Sequence, residues 1–218
     1  MYNLPYFKEK NFEVLYDFMK QHPFVVLCGV SERKEPVATQ VPVLLETRGD
    51  QLFLVGHMMK QTDHHKAYLV SDQALVLFTG AHTYVSASWY TDPLQGSTWN
   101  YMTVHARGKL SFLPHDQLFS ILERITALFE NNSDSPSLVH KLPKEYVTRL
   151  SQAIVAFEIA VTSVENVFKL SQNRDEGSYS TIINQLMQGN DGARAIALEM
   201  KKREAGLFAS NHTENDSM

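Results

Sequence analysis

Three short runs of β-branched and other apolar residues near the start of the chain constrain its fold more than any other feature. They span residues 24–30, 37–45 and 51–55, and each has the length and composition of a strand. Only the polar stretches 31–35 and 47–50 separate them. Because a parallel pair needs a crossover of a dozen or more residues, these separations predict antiparallel hairpins.

The rest of the chain alternates strand-like and helix-like patterns. Further strands are predicted at 74–79, 98–108 and 154–161, the last continued by 167–168 after a turn near Glu165 and Asn166. Helices are predicted at 12–22, with Asn11 as cap and Pro23 as stop, and at 61–70, 115–128, 143–150, 180–187 and 193–203. From Ala209 onward the polar composition predicts a frayed tail.

The order of these elements favours an α+β fold, a split antiparallel β-barrel with peripheral helices. A doubly wound parallel sheet is disfavoured, because the chain lacks the glycine fingerprint of dinucleotide-binding folds and the phosphate-loop lysine motif. We expect a barrel domain at residues 1–188, followed at 189–218 by a C-terminal helix and a flexible tail.

Composition limits the compartment and the partners. The chain carries a net charge of -4, so it has no overall positive field to attract nucleic acid. Cys28 is its single cysteine, which excludes an internal disulfide and fits a reducing compartment. No signal peptide or membrane span is apparent, so we expect a cytoplasmic protein with no membrane partner.

The segment 56–63 is the first with the composition of a ligand site. It follows a strand and opens a predicted helix, where glycine lets backbone amides approach an anion. Lys60 adds a full positive charge. The segment therefore suits a phosphate, although a solvated turn has the same composition.

Aromatic residues concentrate in the segments 84–90 and 98–101. Both tryptophans of the chain, Trp89 and Trp99, lie there. Tryptophan and tyrosine combine large apolar area with a polar tip that seeks a partner. This cluster suits a planar ring ligand, and it equally suits packing in the core or in a subunit interface.

A third segment, 169–174, supplies a hydroxyl, two amides and two cations directly after a strand. Amides both donate and accept hydrogen bonds, which matches the mixed edge of a flavin ring or a phosphorylated ribityl chain. A helix-capping loop is the alternative interpretation.

The nine histidines form no recognisable catalytic or metal motif. His64 and His65 are adjacent, so on a helix they point in different directions and do not suit one metal ion. The chain also lacks the nucleophile elbow of serine hydrolases. We therefore predict no metal site and assign no catalytic residue.

Taken together, these segments resemble the PaiB-like family of flavin mononucleotide (FMN)-binding negative regulators of transcription. The resemblance runs from Met1 to about Leu186. It is carried by Ala38-Thr39 with Pro42, by Gly56-His57, by the segments 84–90 and 98–101, and by 169–174. Lys60 stands where an arginine is common in relatives, and Asp63 where a proline is common.

The resemblance implies a split barrel of the pyridoxamine phosphate oxidase type that forms a homodimer with FMN between the subunits. The implied FMN contacts come from every segment described above. They are Thr39, Gln40, Val41, Pro42, Gly56, His57, Lys60, Trp89, Trp99, Asn100, Lys169, Ser171, Gln172 and Asn173.

Three functions follow from this reading. The first is an FMN-binding regulator of the PaiB type, with nucleic acid as a partner on family resemblance alone. The second is a flavin-dependent oxidoreductase that uses a nicotinamide cofactor, in which FMN carries the redox chemistry. The third is a flavin-free dimeric scaffold.

Overall fold

The computed structural model describes the backbone of residues 1–212 and the side chains of residues 1–209. Its strands are β1 (Phe24–Val30), β2 (Pro36–Arg48), β3 (Gln51–Met59), β4 (Gln73–Val85), β5 (Thr98–Phe112) and β6 (Ile154–Lys169). Its α-helices are α1 (Phe12–Gln21), α2 (Asp63–Val70), α3 (His115–Glu130), α4 (Lys144–Ser151), α5 (Glu176–Leu186) and α6 (Asp191–His212). Three 3₁₀ turns occupy Pro5–Phe7, Ala87–Trp89 and Val139–Lys141.

The strands form a closed barrel in the order β1-β2-β3-β6-β5-β4. Strand β1 pairs antiparallel with β2 and β4, β2 pairs with β3, and β3 pairs with β6. The tight connections adopt left-handed backbone at Lys34 (φ 63°) and Gly49 (φ 60°), as short hairpin loops require. The predicted α+β barrel is therefore confirmed.

Alternation along β2 and β3 separates the two faces of the barrel wall. Val41 and Val43 of β2 are buried, whereas Gln40, which precedes them, is exposed and Pro42 between them is half-buried. On the other face, Val55 of β3 and Ala156 of β6 pack beneath Leu118 and Ile121 of α3. Helix α3 therefore covers the outer surface of this part of the barrel.

Some predicted boundaries were wrong. Strand β6 continues through Glu165 and Asn166 without a turn. The Asn166 side chain there donates to the carbonyl of Glu9 at 3.0 Å and accepts from its amide at 2.8 Å, so a partner segment satisfies this polar residue within the strand. Strand β4 likewise extends to Val85, beyond its predicted end at residue 79 and into the aromatic segment 84–90.

Each of the six α-helices also differs from its predicted bounds by one residue or more. Helix α2 begins at Asp63 rather than at 61, because Gln61 adopts left-handed backbone at φ 67°. Helix α5 begins at Glu176 rather than at 180, because Asp175 caps it by accepting a hydrogen bond from the amide of Ser178. Helix α6 includes residues 209–212, and the remainder of the predicted tail lies outside the described residues.

The chain divides into two compact units. One comprises Met1–Leu15, Thr79–Thr103 and the described chain from Asn166, and the other comprises Tyr16–Phe78 and Val104–Glu165. The predicted domain boundary at residue 188 stays a prediction. Within the described part of the chain, no helix has the length and apolarity needed to cross a membrane.

Candidate functional site

The predicted contacts Thr39 to Pro42 lie on β2, where successive side chains point to opposite faces. Thr39 and Val41 share the face on which Val41 is buried, and Gln40 and Pro42 share the other. A ligand alongside this strand therefore meets at most two of the four side chains, together with backbone.

Gly56 lies within β3, between Val43 of β2 and Phe157 of β6. A Cβ at this position would lie 2.8 Å from Cζ of Phe157 and 2.9 Å from the carbonyl oxygen of Pro42. Glycine is thus required here by the close approach of neighbouring strands. The sequence pattern predicted Gly56 in a turn after the strand. In the structure it lies inside the strand, and strand packing is the physical reason that this position is glycine.

His57 lies two residues after Val55 and on the same outer face of β3. Its Nδ1 is buried and has no hydrogen-bond partner among the residues that the structure describes. Burial lowers the pKa of His57, which favours the neutral ring. Buried polar atoms normally have partners, and the polar edge of a flavin would satisfy this one. The position therefore fits FMN.

Lys60 follows β3 in a tightly held turn. Its amide donates to the carbonyl of Ala153 at 2.9 Å, and its Nζ donates to the carbonyl of Gln152 at 3.0 Å. Within the described part of the chain it forms no ion pair with a carboxylate. Lys60 as a residue is half-buried, the direction of its ammonium is set by the backbone, and no carboxylate of the described chain compensates its charge, which suits an anion such as phosphate.

His65, which the sequence did not single out as a site residue, supports this turn. Its Nδ1 accepts a hydrogen bond from the amide of Gln61 at 3.3 Å, and its ring packs on Phe112 at 5.1 Å. Burial, and then the charges of His64, Lys60 and Lys66, lower its pKa. An accepting Nδ1 requires the neutral tautomer with hydrogen on Nε2, so the low pKa and the turn geometry agree.

Asp63 and His64 form a local pair at the start of α2. The exposed Asp63 carboxylate accepts from the His64 amide at 2.7 Å and lies 3.1 Å from Nδ1 of the same residue. These contacts lower the pKa of Asp63. No group of three metal-ligating side chains occurs among the described residues.

Asn100 and Ser171 belong to the other unit, and their side chains bond to each other. Nδ2 of Asn100 donates to Oγ of Ser171 at 3.0 Å and to Sδ of Met200 at 3.6 Å, and Oγ lies 3.1 Å from Oδ1. Asn100 is fully buried and Ser171 nearly so. Ser171 has a φ of 62°, so the pair anchors a loop in left-handed backbone.

The remaining polar residues of this loop are also used locally. Gln172 accepts from the amide of Leu170 at 2.7 Å and donates to the carbonyl of Phe168 at 2.6 Å, whereas Asn173 is exposed. The following cap at Asp175 bears out the helix-capping interpretation for the end of the segment. Neither Asn100 nor Gln172 presents a free amide to a ligand in this arrangement.

Lys169 is half-buried among aromatic rings. Its Nζ donates to the hydroxyl of Thr98 and lies 5.5 Å from the ring centre of Tyr2 and 5.9 Å from that of Phe7. Burial, and then the nearby charge of Arg174, lower the pKa of Lys169. Cation–π contacts thus partly replace a carboxylate partner.

Arg174 and Tyr90 are neighbours that the sequence did not assign to the site. The Arg174 guanidinium lies 4.2 Å from the centre of the Tyr90 ring. The Tyr90 hydroxyl is buried without a partner among the described residues. Tyr90 ends the segment 84–90 and Arg174 ends the segment 169–174. The sequence could therefore have indicated both residues, but it could not have indicated that they are in contact.

The two tryptophans have different surroundings. Trp99 is 54% exposed, and its ring lies 6.0 Å from each of the rings of His82 and Tyr84. We call these three residues the aromatic patch. Trp89 is half-buried in the 3₁₀ turn Ala87–Trp89 and lines a separate cleft.

Comparison with known proteins identifies the family. Residues 1–163 match the family model described as "Putative FMN-binding domain". The chain belongs to the PaiB-like FMN-binding family. It is 32% identical over 204 residues to the protease synthase and sporulation protein PAI 2 of Bacillus subtilis, covering 93% of this chain and 98% of that protein. FMN is thus the cofactor of the family.

Solved structures more distant from this PaiB-like chain share its fold. An FAD- and heme-binding protein of Mycobacterium smegmatis superposes with a TM-score of 0.55 at 18% identity, over 75% of this chain and 73% of that one. A conserved hypothetical protein of Mycobacterium tuberculosis gives 0.54 at 10% identity, over 78% and 91%. At these identities the likeness extends to the fold alone.

Proposed function

We propose that this chain is an FMN-binding regulator of the PaiB type that holds the FMN phosphate at Lys60 and presents His57 to the flavin. The observation that carries this function is the match to an FMN-binding family model over residues 1–163. When bound, FMN supplies a redox-active ring, and the residues of the chain bind and orient it.

The turn after β3 supports Lys60 as the phosphate ligand. Phosphate is held best by a charged donor whose direction is already set, because little side-chain entropy is then lost. Two backbone carbonyls, of Gln152 and Ala153, fix the ammonium and amide of Lys60, and no carboxylate neutralises it within the described chain. His57, three residues earlier, offers the unpartnered Nδ1.

Absorption spectroscopy tests this function directly. Freshly purified protein, or apoprotein titrated with FMN, is expected to show the two visible flavin bands, shifted from those of free FMN. Riboflavin, which lacks the phosphate, is the matched control ligand and is expected to bind more weakly. A colourless protein that takes up no added FMN would favour the flavin-free scaffold instead.

Homodimerisation is the second element of the function. Exposed aromatic clusters on folded domains commonly mark contact surfaces, and the aromatic patch has this character. Two copies meeting at this patch would bury Trp99. Sedimentation velocity on the FMN-loaded protein is expected to give the mass of a dimer, and a monomer at all concentrations would exclude this assembly.

The regulatory role is negative control of transcription in the cytoplasm, transmitted through a ligand or a protein partner. The similarity to a sporulation-related protein of Bacillus subtilis supports this role, and the net charge of -4 disfavours tight nonspecific binding of DNA. An electrophoretic shift assay at moderate salt is expected to show no sequence preference for the protein alone. A sequence-specific shift would instead establish a direct repressor.

A further inference from the structure

A cleft of about 380 Å³ opens between the end of β4, the 3₁₀ turn at Trp89 and the turn that joins α5 to α6. Its volume lies within the range of small-molecule sites. All of its lining residues belong to one compact unit of the chain. None of the sequence motifs accounts for its α5–α6 side.

Small residues create the space in this cleft. Gly189 and Ala193 lie on its helical side, and a Cβ at Gly189 would approach the Cβ of Ala193 to 2.7 Å. The amide of Gly189 donates to the carbonyl of Leu186 at 3.0 Å, which closes the end of α5. The backbone therefore turns tightly here, with no side chain to fill the cleft.

Aromatic rings form the opposite wall. Trp89 is half-buried and held by its 3₁₀ turn, in which its amide donates to the carbonyl of Ser86 at 3.2 Å. Tyr84, on β4, contributes a second ring whose edge is supported by Trp99. Flat, fixed aromatic surfaces of this kind favour a planar ligand.

The polar groups of the cleft are neutral amides. Gln185 and Gln188 are exposed, and their side chains make no hydrogen bond among the side chains that the structure describes. Asn190 accepts from the amide of Ala193 at 3.0 Å with its Oδ1, as the cap of α6. Among the residues that the structure describes, no carboxylate, ammonium, guanidinium or imidazole group lines the cleft. The guanidinium of Arg194 donates to the carbonyl of the lining residue Gly189 and is already paired with the carboxylate of Asp191.

We infer that this cleft binds a neutral nucleobase, presented by a free nucleoside. The base stacks on Trp89, and the glutamine amides donate to and accept from its edge, as amide side chains do with adenine. A nucleotide or a nucleic acid strand is disfavoured, because the described lining holds no unpaired cation for phosphate. This inference does not depend on the proposed contact of FMN with Lys60.

The two tryptophans make a direct test possible. Trp99→Phe leaves Trp89 as the single tryptophan, inside the cleft, and Trp89→Phe leaves only Trp99, outside it. Titration with adenosine is expected to change the emission of the Trp99→Phe protein in a saturable way. The Trp89→Phe protein is expected to show no saturable change, and adenosine monophosphate is expected to bind the Trp99→Phe protein more weakly than adenosine.

Side-chain variants of the amides give the second measurement. In the Trp99→Phe background, Gln185→Ala and Gln188→Ala are each expected to weaken adenosine binding by roughly two- to tenfold. Asn184→Ala is the matched control, because Asn184 is an exposed amide next to the cleft that does not line it. Circular dichroism verifies that each variant is folded.

Several results would overturn the inference. Absence of a saturable response to adenosine in folded Trp99→Phe protein would remove the site. Equal or tighter binding of the monophosphate or of oligodeoxyadenylate would reassign it to phosphate-bearing ligands. Competition between adenosine and FMN would show that they share one site. If the wild-type protein binds adenosine but does not bind FMN, only the FMN proposal is contradicted.

Discussion

The turn at Lys60 and the loop at Ser171 hold their polar side chains in opposite ways. In the turn, the ammonium of Lys60 has no carboxylate partner in the described chain, and Nδ1 of His57 has no hydrogen-bond partner there. In the loop, Asn100, Ser171 and Gln172 bond to one another or to nearby backbone. Residues of similar polarity therefore keep unused charge or hydrogen-bonding capacity in one region and support a loop in the other.

The largest expected effect comes from Asn100→Ala. The variant leaves the buried Ser171 hydroxyl without its partner and opens a cavity, so the free energy of unfolding should fall by about 3 kcal/mol. Urea denaturation measures this change. Asn173→Ala, at an exposed amide of the same loop, should change it by less than about 0.5 kcal/mol. If the variant keeps its stability but loses FMN binding, Asn100 is a ligand residue, and the difference between the loop at Ser171 and the turn at Lys60 no longer holds.

Lys60→Ala should weaken FMN binding by about 1.5–3 kcal/mol, since a charged hydrogen bond to phosphate is lost. Isothermal titration of the apoprotein measures it, and riboflavin binding should stay unchanged. Lys66→Ala removes the same charge from an exposed position on α2 and should have little effect. If Lys60→Ala binds FMN as tightly as the wild type, the phosphate site lies elsewhere.

Lowering the pH should reduce the free energy of unfolding of the protein through protonation of His57 and His65. Burial lowers the pKa of both in the folded protein, whereas the unfolded chain titrates near 6.5. The unfolded state therefore binds more protons as the pH falls through about 6.5, and stability is lost from there down to the lower folded pKa values. Each histidine contributes a slope of at most about 1.4 kcal/mol per pH unit.

Urea unfolding between about pH 7.5 and pH 5.5 tests this pH dependence. The double variant His57→Gln with His65→Gln removes both titrating imidazoles, and the glutamine amides can still donate and accept hydrogen bonds. The stability of this variant should therefore vary less with pH than that of the wild type. An equal pH dependence in the two proteins would assign the effect to other groups.

The smallest effect on stability is expected for Trp99→Ser. Because Trp99 is 54% exposed, the free energy of unfolding should change by less than about 0.5 kcal/mol, while the dimer fraction in sedimentation falls. Leu94→Ser is the control, since Leu94 is 93% exposed and lies outside the aromatic patch. Equal loss of dimer in both variants would show that exposed apolar area in general, and not this patch, drives association.

Much of the fold was predictable because its signals are local. The first strand was predicted with the bounds that the structure shows, Phe24–Val30, and the short polar separations correctly indicated hairpins. The continuity of β6 was not predictable, because Asn166 is satisfied by Glu9, 157 positions away in sequence. The polar residues Glu165 and Asn166 have the local pattern of a turn, but a tertiary contact satisfies the Asn166 side chain within the strand.

The candidate site divides in the same way. The sequence singled out Lys60 and His57 as ligand residues near a strand end, and this stays a prediction. Among the described residues, Lys60 has no carboxylate partner and Nδ1 of His57 has no hydrogen-bond partner. Asn100 was singled out by the same reasoning, yet its amide is used by Ser171, 71 positions away, and by Met200, 100 positions away. Residue type alone did not distinguish these two outcomes.

By itself, the sequence determined the antiparallel strands, the order of the helices and the membership of an FMN-binding family, because alternation, turn residues and motif order are properties of neighbouring positions. The tertiary structure decided which polar atoms remain available to a ligand and why Gly56 must be glycine. The physical reason is that hydrogen-bond partners and steric neighbours come from strands and helices distant in sequence, and a single chain pattern does not specify those pairings.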